Sequence, residues 1–159
     1  MSFIDGQFDG VRVDRTLQHV ADPALVIMEM ARVARKGGRV VCAEPDWGSF
    51  FIDDDDVRCV AAVSDIWTGS IRNRKIGRQL PRFMTAAGLT QIQTSGYLLA
   101  TYGLKDVNLV FDVKKTAEFL AQSNPASGVA SWYEKLELRD SRSPVFAGVT
   151  IIVAAGVRG

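Results

Sequence analysis

The sequence predicts an α/β fold built on a parallel sheet, and three stretches carry that prediction. "FDGVRVD" (8–14) is a short run with Phe8, Val11 and Val13 apolar, and "RVVCAEP" (39–45) is a nearly continuous apolar run. Between them, "ADPALVIMEMARVARKGG" (21–38) carries helix signals at both ends. A continuous apolar run marks a strand buried on both faces, as parallel strands are. Strand, helix and strand in that order make a right-handed βαβ crossover. In such sheets ligands bind where a strand runs into its loop, which directs attention to "VDRTLQHVADP" (13–23).

The helix over 21–38 opens on Asp22 as N-cap with Pro23 in the first turn, and Gly37-Gly38 are the expected stop. Leu25, Met28 and either Val33 or Arg32 fall near helical spacing and define a core face, opposite Glu29, Arg32 and Arg35. After the strand at 39–45, "DWGSFFIDDDD" (46–56) reads as a loop with three aromatics. A helix is expected over 55–72, then a basic turn "IRNRKIGR", then a helix over 77–88 interrupted or begun near Pro81 and ended at Gly88. "LTQIQTSGYLLATY" (89–102) reads as a strand, residues 104–122 and 127–141 as helices, and "PVFAGVTIIVAAG" (144–156) as a final apolar strand. No Gly/Pro linker sets the helical excursion apart. The expectation is one domain over 1–159, with 104–142 as a helical insertion, or lid, over one end of the sheet.

The bulk figures exclude several classes. Hydrophobic residues make up 47% and charged residues 23%, with a formal net charge of +1, so no strong field points at nucleic acid or membrane. No segment is long and apolar enough to span a bilayer, and "MSFIDGQFDG" lacks the basic and apolar regions of a signal peptide. Cys42 and Cys59 lie in apolar surroundings without metal-ligand spacing and read as buried thiols, which suits a cytoplasmic setting.

Residues 8–47 resemble the later half of a class I S-adenosylmethionine-dependent methyltransferase of the small-molecule type called type 11, the ubiquinone/menaquinone-biosynthesis-like group. The resemblance lies in Phe8-Asp9, in Leu17-Gln18-His19-Val20-Ala21-Asp22, in Glu29 with Arg32-Val33-Ala34, in Lys36-Gly37-Gly38 and in Glu44. "MTAAGLTQIQ" (84–93) resembles the junction before that family's sixth strand, and the C-terminal run its seventh, which lies antiparallel between strands five and six. The resemblance therefore implies a partial Rossmann-like methyltransferase sheet of strands four to seven. It implies S-adenosyl-L-methionine as cofactor, yet no G-x-G occurs in the chain, and "SFIDGQ" (2–7) resembles the loop after the adenine-contacting element. The main cofactor motif is thus expected outside this polypeptide, which reads as a truncated C-terminal half.

The same resemblance assigns residues. Asp14, Arg15, Thr16 and His19 match positions that touch the cofactor, and His19 and Glu44 are the candidate bases. For His19, the only histidine, a local loop-holding role stands beside the pocket role, and for Arg15 a solvated turn. Trp47, Phe50 and Phe51 form either an acceptor wall or packing under the next helix. Trp132 and Tyr133 line the lid or pack its helices. Asp53 to Asp56 lack the alternating spacing of metal ligands and read as an anionic helix N-terminus, so no metal is expected. Arg72, Arg74, Lys75 and Arg78 read as a solvated basic loop. The expected function is methyl transfer to a small-molecule acceptor. The alternative is a non-catalytic remnant or interaction module that associates through strand 8–13. Both readings expect a homodimer or a partner that covers that edge.

Overall fold

The computed structural model describes residues 3–159. Met1 and Ser2, at the head of the N-terminal segments read above, lie outside the described residues. Two compact units emerge among the described residues, one of 3–48, 72–97 and 150–159, the other of 49–71 and 98–149.

A four-stranded sheet contains β1 (Phe8–Asp14), β2 (Ala34–Ile52), β3 (Leu89–Tyr102) and β4 (Phe146–Arg158), in the order β1-β2-β4-β3. β1 and β2 are parallel, with Val11 opposite Val40 and Val13 opposite Cys42. The Thr90 hydroxyl donates to the Val157 carbonyl and the Thr101 hydroxyl to the Ala147 carbonyl. Partners that descend along one strand as they ascend along the other make β3 and β4 antiparallel. The last strand thus lies between the second and third, as the resemblance implies. Among the described residues β1 pairs with β2 alone and forms one edge of the sheet.

The helix α1 (Pro23–Val33) joins β1 to β2, and the Asp22 carboxylate accepts from the Ala24 and Leu25 N–H groups at 2.9 and 3.1 Å. It ends earlier than expected. Ala34 is already extended, and the pairing with β1 jumps from Phe8↔Ala34 to Gly10↔Arg39. Residues 35–38 fill that irregularity. Gly37 takes a φ of 71°, and a Cβ on Gly38 would lie 2.7 Å from the Arg35 carbonyl oxygen. The two glycines are there for a bulge, which needs left-handed backbone and close approach, and not for a helix cap. The core face of α1 also differs. Leu25 and Met28 are 61% and 52% exposed, while Ile27, Met30 and Ala31 are buried. The helix carries two apolar stripes, and the one continuous with Pro23 packs inward.

In the first unit these residues join Leu17, Val40, Cys42, Leu89 and Ala154 in a core with Ile76, Leu80 and Met84 of α3 (Ile76–Ala86). Pro81 lies inside α3, which starts five positions before it. Each fully buried Leu, Ile, Val or Met among them contributes about 1.5–3 kcal/mol. The second unit contains α2 (Val57–Gly69), α4 (Leu104–Phe111), α5 (Val113–Ser123), a 3₁₀ turn at Pro125–Ser127 and α6 (Val129–Asp140). The helix expected over 104–122 is two helices, broken where Asp112 adopts a φ of 52°. The expected loop at 46–56 is strand as far as Ile52, because the Asp53 N–H still bonds to the Phe146 carbonyl at 2.8 Å and the aromatics suit a pleated surface.

Candidate functional site

At the carboxyl end of β1 the chain turns sharply: Arg15 adopts a φ of 47° and its N–H donates to the Ala43 carbonyl at 2.9 Å. Such a conformation is costly for a residue with a side chain and persists only where the surroundings enforce it. Here Glu44 enforces it: fully buried, it lies inside β2, one position past the last residue paired with β1, and not at the strand end that the sequence suggests. Its Oε1 accepts from the Thr16 and Leu17 N–H groups at 2.8 and 2.7 Å, and its Oε2 from the Gln18 N–H at 3.3 Å. Burial pushes the Glu44 carboxyl above its usual range, against the opposing pull of those three N–H groups. The nearby Cys42 thiol is pushed up to about 12, by burial first and the Glu44 charge second, so it is an inert core residue.

A second set of bonds holds the loop from the other side. Asn73 Nδ2 donates to the Leu17 and Val20 carbonyls at 2.9 and 2.8 Å, and its backbone N–H to the Gln18 carbonyl at 3.0 Å. The Gln18 side chain donates to the Arg15 carbonyl at 3.1 Å and accepts from the Trp47 indole N–H at 2.7 Å. Below them, buried Asp46 pairs with Arg78 at 2.7 Å, which holds the guanidinium charged. Gly77 sits so close to β2 that a Cβ would lie 2.9 Å from the Glu44 carbonyl oxygen.

The outcome is a fixed loop whose N–H groups at 16–18 are used internally, and whose outward face presents side chains. Asp14, Arg15, Thr16 and His19 are all exposed there. Arg15 Nε bonds to Asp14 at 3.0 Å, and the Thr16 hydroxyl donates to the Asp14 carbonyl at 3.0 Å. Such a rim offers a carboxylate, a guanidinium, a hydroxyl and an imidazole to a polar ligand. The structure thus brings Asp14, Arg15, Thr16, His19, Glu44 and Trp47 together in the first unit. Phe50 and Phe51 belong to the second, where Phe50 packs 5.5 Å from Trp67 and 5.0 Å from Phe111, and Phe51 packs 5.2 Å from Phe146. Trp132 and Tyr133 are buried in that unit. The indole of Trp132 bonds to Asp54, and the hydroxyl of Tyr133 accepts from Asn108. Asp56 caps α2 through the Cys59 N–H.

Gln18, Asn73, Asp46 and Gly77 were not singled out from the sequence. Gln18 lies inside the stretch that drew attention, but its partner Trp47 is 29 positions away. Asn73 sits in a basic turn with no local mark of its role.

Residues 1–42 match a family described as the methyltransferase domain, in agreement with the resemblance carried by residues 8–47. A 37.1 kDa protein of transposon TN4556 from Streptomyces fradiae, itself uncharacterised, is 36% identical over 152 residues. That match covers 94% of this chain and 43% of the relative, so the chain spans less than half of that protein's length. Among solved structures, the YcgJ protein of Bacillus subtilis aligns with a TM-score of 0.58 at 17% identity, over 99% of this chain and 67% of its own. Phosphoethanolamine N-methyltransferase 2 of Haemonchus contortus, in complex with S-adenosyl-L-methionine, aligns with a TM-score of 0.52 at 14% identity, over 99% of this chain and 34% of its own. The chain therefore has the Rossmann-like fold of the S-adenosylmethionine-dependent methyltransferases. Its N-terminal quarter carries their domain signature as well.

Proposed function

We propose that this chain forms part of an S-adenosyl-L-methionine-dependent methyltransferase acting on a small molecule, with the loop at 14–19 as the donor-site wall nearest the methionine moiety. The observation behind the proposal is the enforced loop itself: a buried carboxylate, Glu44, accepts from three backbone N–H groups just past the carboxyl end of β1, where ligands of open α/β sheets bind. When bound, the cofactor supplies an activated methyl group. The chain's own contribution is to orient and to exclude water. Asp14, Arg15 and Thr16 supply polar contacts in this reading, and His19 is the residue proposed to take a proton from an acidic acceptor. Glu44 acts through the loop as its holder. Trp47 is the aromatic of this unit proposed for acceptor contact, and residues 104–142 are the segment proposed for acceptor selection. The glycine-rich element of the donor site is to come from residues other than these 159, as they contain no G-x-G. Two buried free thiols, Cys42 and Cys59, suit a cytoplasmic setting, and among the described residues no helix is long and apolar enough to cross a membrane.

Amide NMR of the chain, titrated with S-adenosyl-L-methionine, tests the donor reading. With part of the pocket supplied, binding in the millimolar range is expected, with shifts at 14–19 that adenosine alone does not reproduce. No shift at those amides, or equal shifts from adenosine, overturns the reading.

One observation favours association as well. β1 bonds along one side only among the described residues, and an open strand edge is a template for pairing. We propose a homodimer, or a complex with the polypeptide that supplies the glycine-rich element, through that edge. Sedimentation that shows a single monomeric species at high concentration sinks this part and leaves the donor reading untouched.

A further inference from the structure

The first unit holds a concentration of charge that its packing does not use. Arg72, Arg74 and Lys75 are exposed, and among the described residues none of the three forms an ion pair with an acid. Arg78, next along the chain, is by contrast committed to Asp46. The chain as a whole has 19 basic and 18 acidic side chains, so this is a local concentration and not a general basic surface.

A run of surface cations on a loose turn is ordinarily solvated and does nothing specific. This turn is not loose. Asn73, between the two arginines, makes three hydrogen bonds to the loop at 17–20, and the Trp47 N–H donates to the Arg74 carbonyl at 2.9 Å. The backbone that carries the cations is therefore fastened to the loop that ends β1. Two guanidinium groups and one ammonium within four residues of a fastened backbone suit a carboxylate or phosphate, which guanidinium binds through paired N–H donors. The turn has no aromatic between its cations, so it lacks the stacking platform that single-stranded nucleic acid uses.

We propose that the turn at 72–75 docks an anionic group, carboxylate or phosphate, of the small-molecule acceptor. The word acceptor rests on the donor-loop reading above; the anion site rests on the fastened cations alone. Inorganic phosphate and acetate are the probes, titrated separately and followed by amide NMR. Shifts concentrated at 72–75 and 15–20 are expected, and the stronger of the two probes identifies the anion class. The variant Arg72→Gln/Arg74→Gln/Lys75→Gln keeps Asn73 and the core, and is expected to bind the stronger probe about tenfold more weakly, as loss of three exposed charge contacts gives. A control, Lys36→Gln/Arg39→Gln/Arg82→Gln, removes the same charge elsewhere in the unit and is expected to bind as the parent does. Retained exchange protection of the Leu80 amide verifies that both variants are folded. Equal losses in the two variants mean a general field and overturn the proposal. Shifts scattered over the surface, an adventitious ion only, overturn it too, as does tighter binding of a short single-stranded oligonucleotide than of either probe. If S-adenosyl-L-methionine leaves 14–19 unmoved while phosphate or acetate moves 72–75, the donor reading fails and the anion site stands. The reverse pattern sinks the anion site alone.

Discussion

Glu44 in the first unit and Asp54 in the second are both carboxylates withdrawn from water, and they hold their surroundings in different ways. Glu44 is fully buried and receives only backbone donors, the N–H groups of Thr16, Leu17 and Gln18. Asp54 is partly open and receives one backbone N–H, from Asp56, with two side-chain donors, the Trp132 indole at 2.9 Å and Arg139 at 3.2 Å. The first arrangement fixes a path of main chain. The second ties a helix, through its side chains, to the start of another. Main-chain donors cannot rotate away when their acceptor is removed, whereas the partly exposed Arg139 guanidinium can turn toward water, though the buried Trp132 indole cannot. The residue that looked catalytic is the one whose loss should do most damage to shape.

The largest effect is therefore expected at Glu44. Glu44→Ala leaves three N–H groups without an acceptor, those of Leu17 and Gln18 buried and that of Thr16 partly so, and stability of the first unit should fall by about 3–5 kcal/mol. Glu44→Gln keeps one carbonyl oxygen but turns an amide donor toward a donor, so roughly half that loss is expected. Amide exchange at Val40 and Leu80 measures it. Exchange at Leu136 reports the second unit separately, since a single melting temperature is not a defined quantity when two units open independently. A loss at Glu44→Ala no larger than at Asp54→Ala breaks the comparison.

Asp54→Ala comes next. The buried Trp132 indole loses its acceptor, while the partly exposed Arg139 keeps its bond to the Asp53 carbonyl, and about 2 kcal/mol is expected from the second unit. Asp54→Asn should recover most of it, because the amide oxygen still accepts from the indole. Exchange at Leu136 reads both. Smaller again is Asp22→Ala. It removes the side-chain bonds to the Ala24 and Leu25 N–H groups at an exposed helix start, where water replaces them. About 1 kcal/mol is expected, read as loss of protection at Ile27.

These three sites differ in how visible they were beforehand. Asp22 followed by Pro23 is a local signal, because a cap and the N–H groups it serves lie within three positions. The same locality made the acidic run at 53–56 readable as a helix N-terminus, though not Asp56 as its cap, and made the strand runs and the crossover readable from their apolar periods. Glu44 was marked by its place at a strand end, but its partners stand 26 to 28 positions away, so its use could not be seen from spacing. Asp54 and Trp132 are 78 positions apart, and nothing in an acidic run distinguishes the one carboxylate that meets an indole. Leu25 and Met28 misled for a related reason. A helix with two apolar stripes does not say which one meets the core, since that depends on Leu80 and Met84 of α3.

The smallest effect sharpens the comparison by sign and not by size. Burial, the larger influence, raises Glu44, and its three N–H partners lower it by less. Between the ordinary carboxyl value and this raised one, the folded protein holds more protons than the unfolded chain, so the Glu44 contribution to stability falls as pH rises through that window. At Asp56 in the second unit the Cys59 N–H, the first cause, lowers the value, and burial opposes it more weakly. There the unfolded chain holds more protons between the lowered value and the ordinary one, and the contribution is lost as pH falls through that window. Exchange-derived stability of each unit, taken across the acid range for the parent, Glu44→Gln and Asp56→Asn, isolates the two terms by subtraction. The Glu44 difference should decline with rising pH above the ordinary carboxyl range, and the Asp56 difference should climb with rising pH below it. Two curves of the same sign would mean that the three N–H groups outweigh burial at Glu44. The carboxylate would then be held ionised through the acid range, and its loop would loosen in acid as the Asp56 cap does.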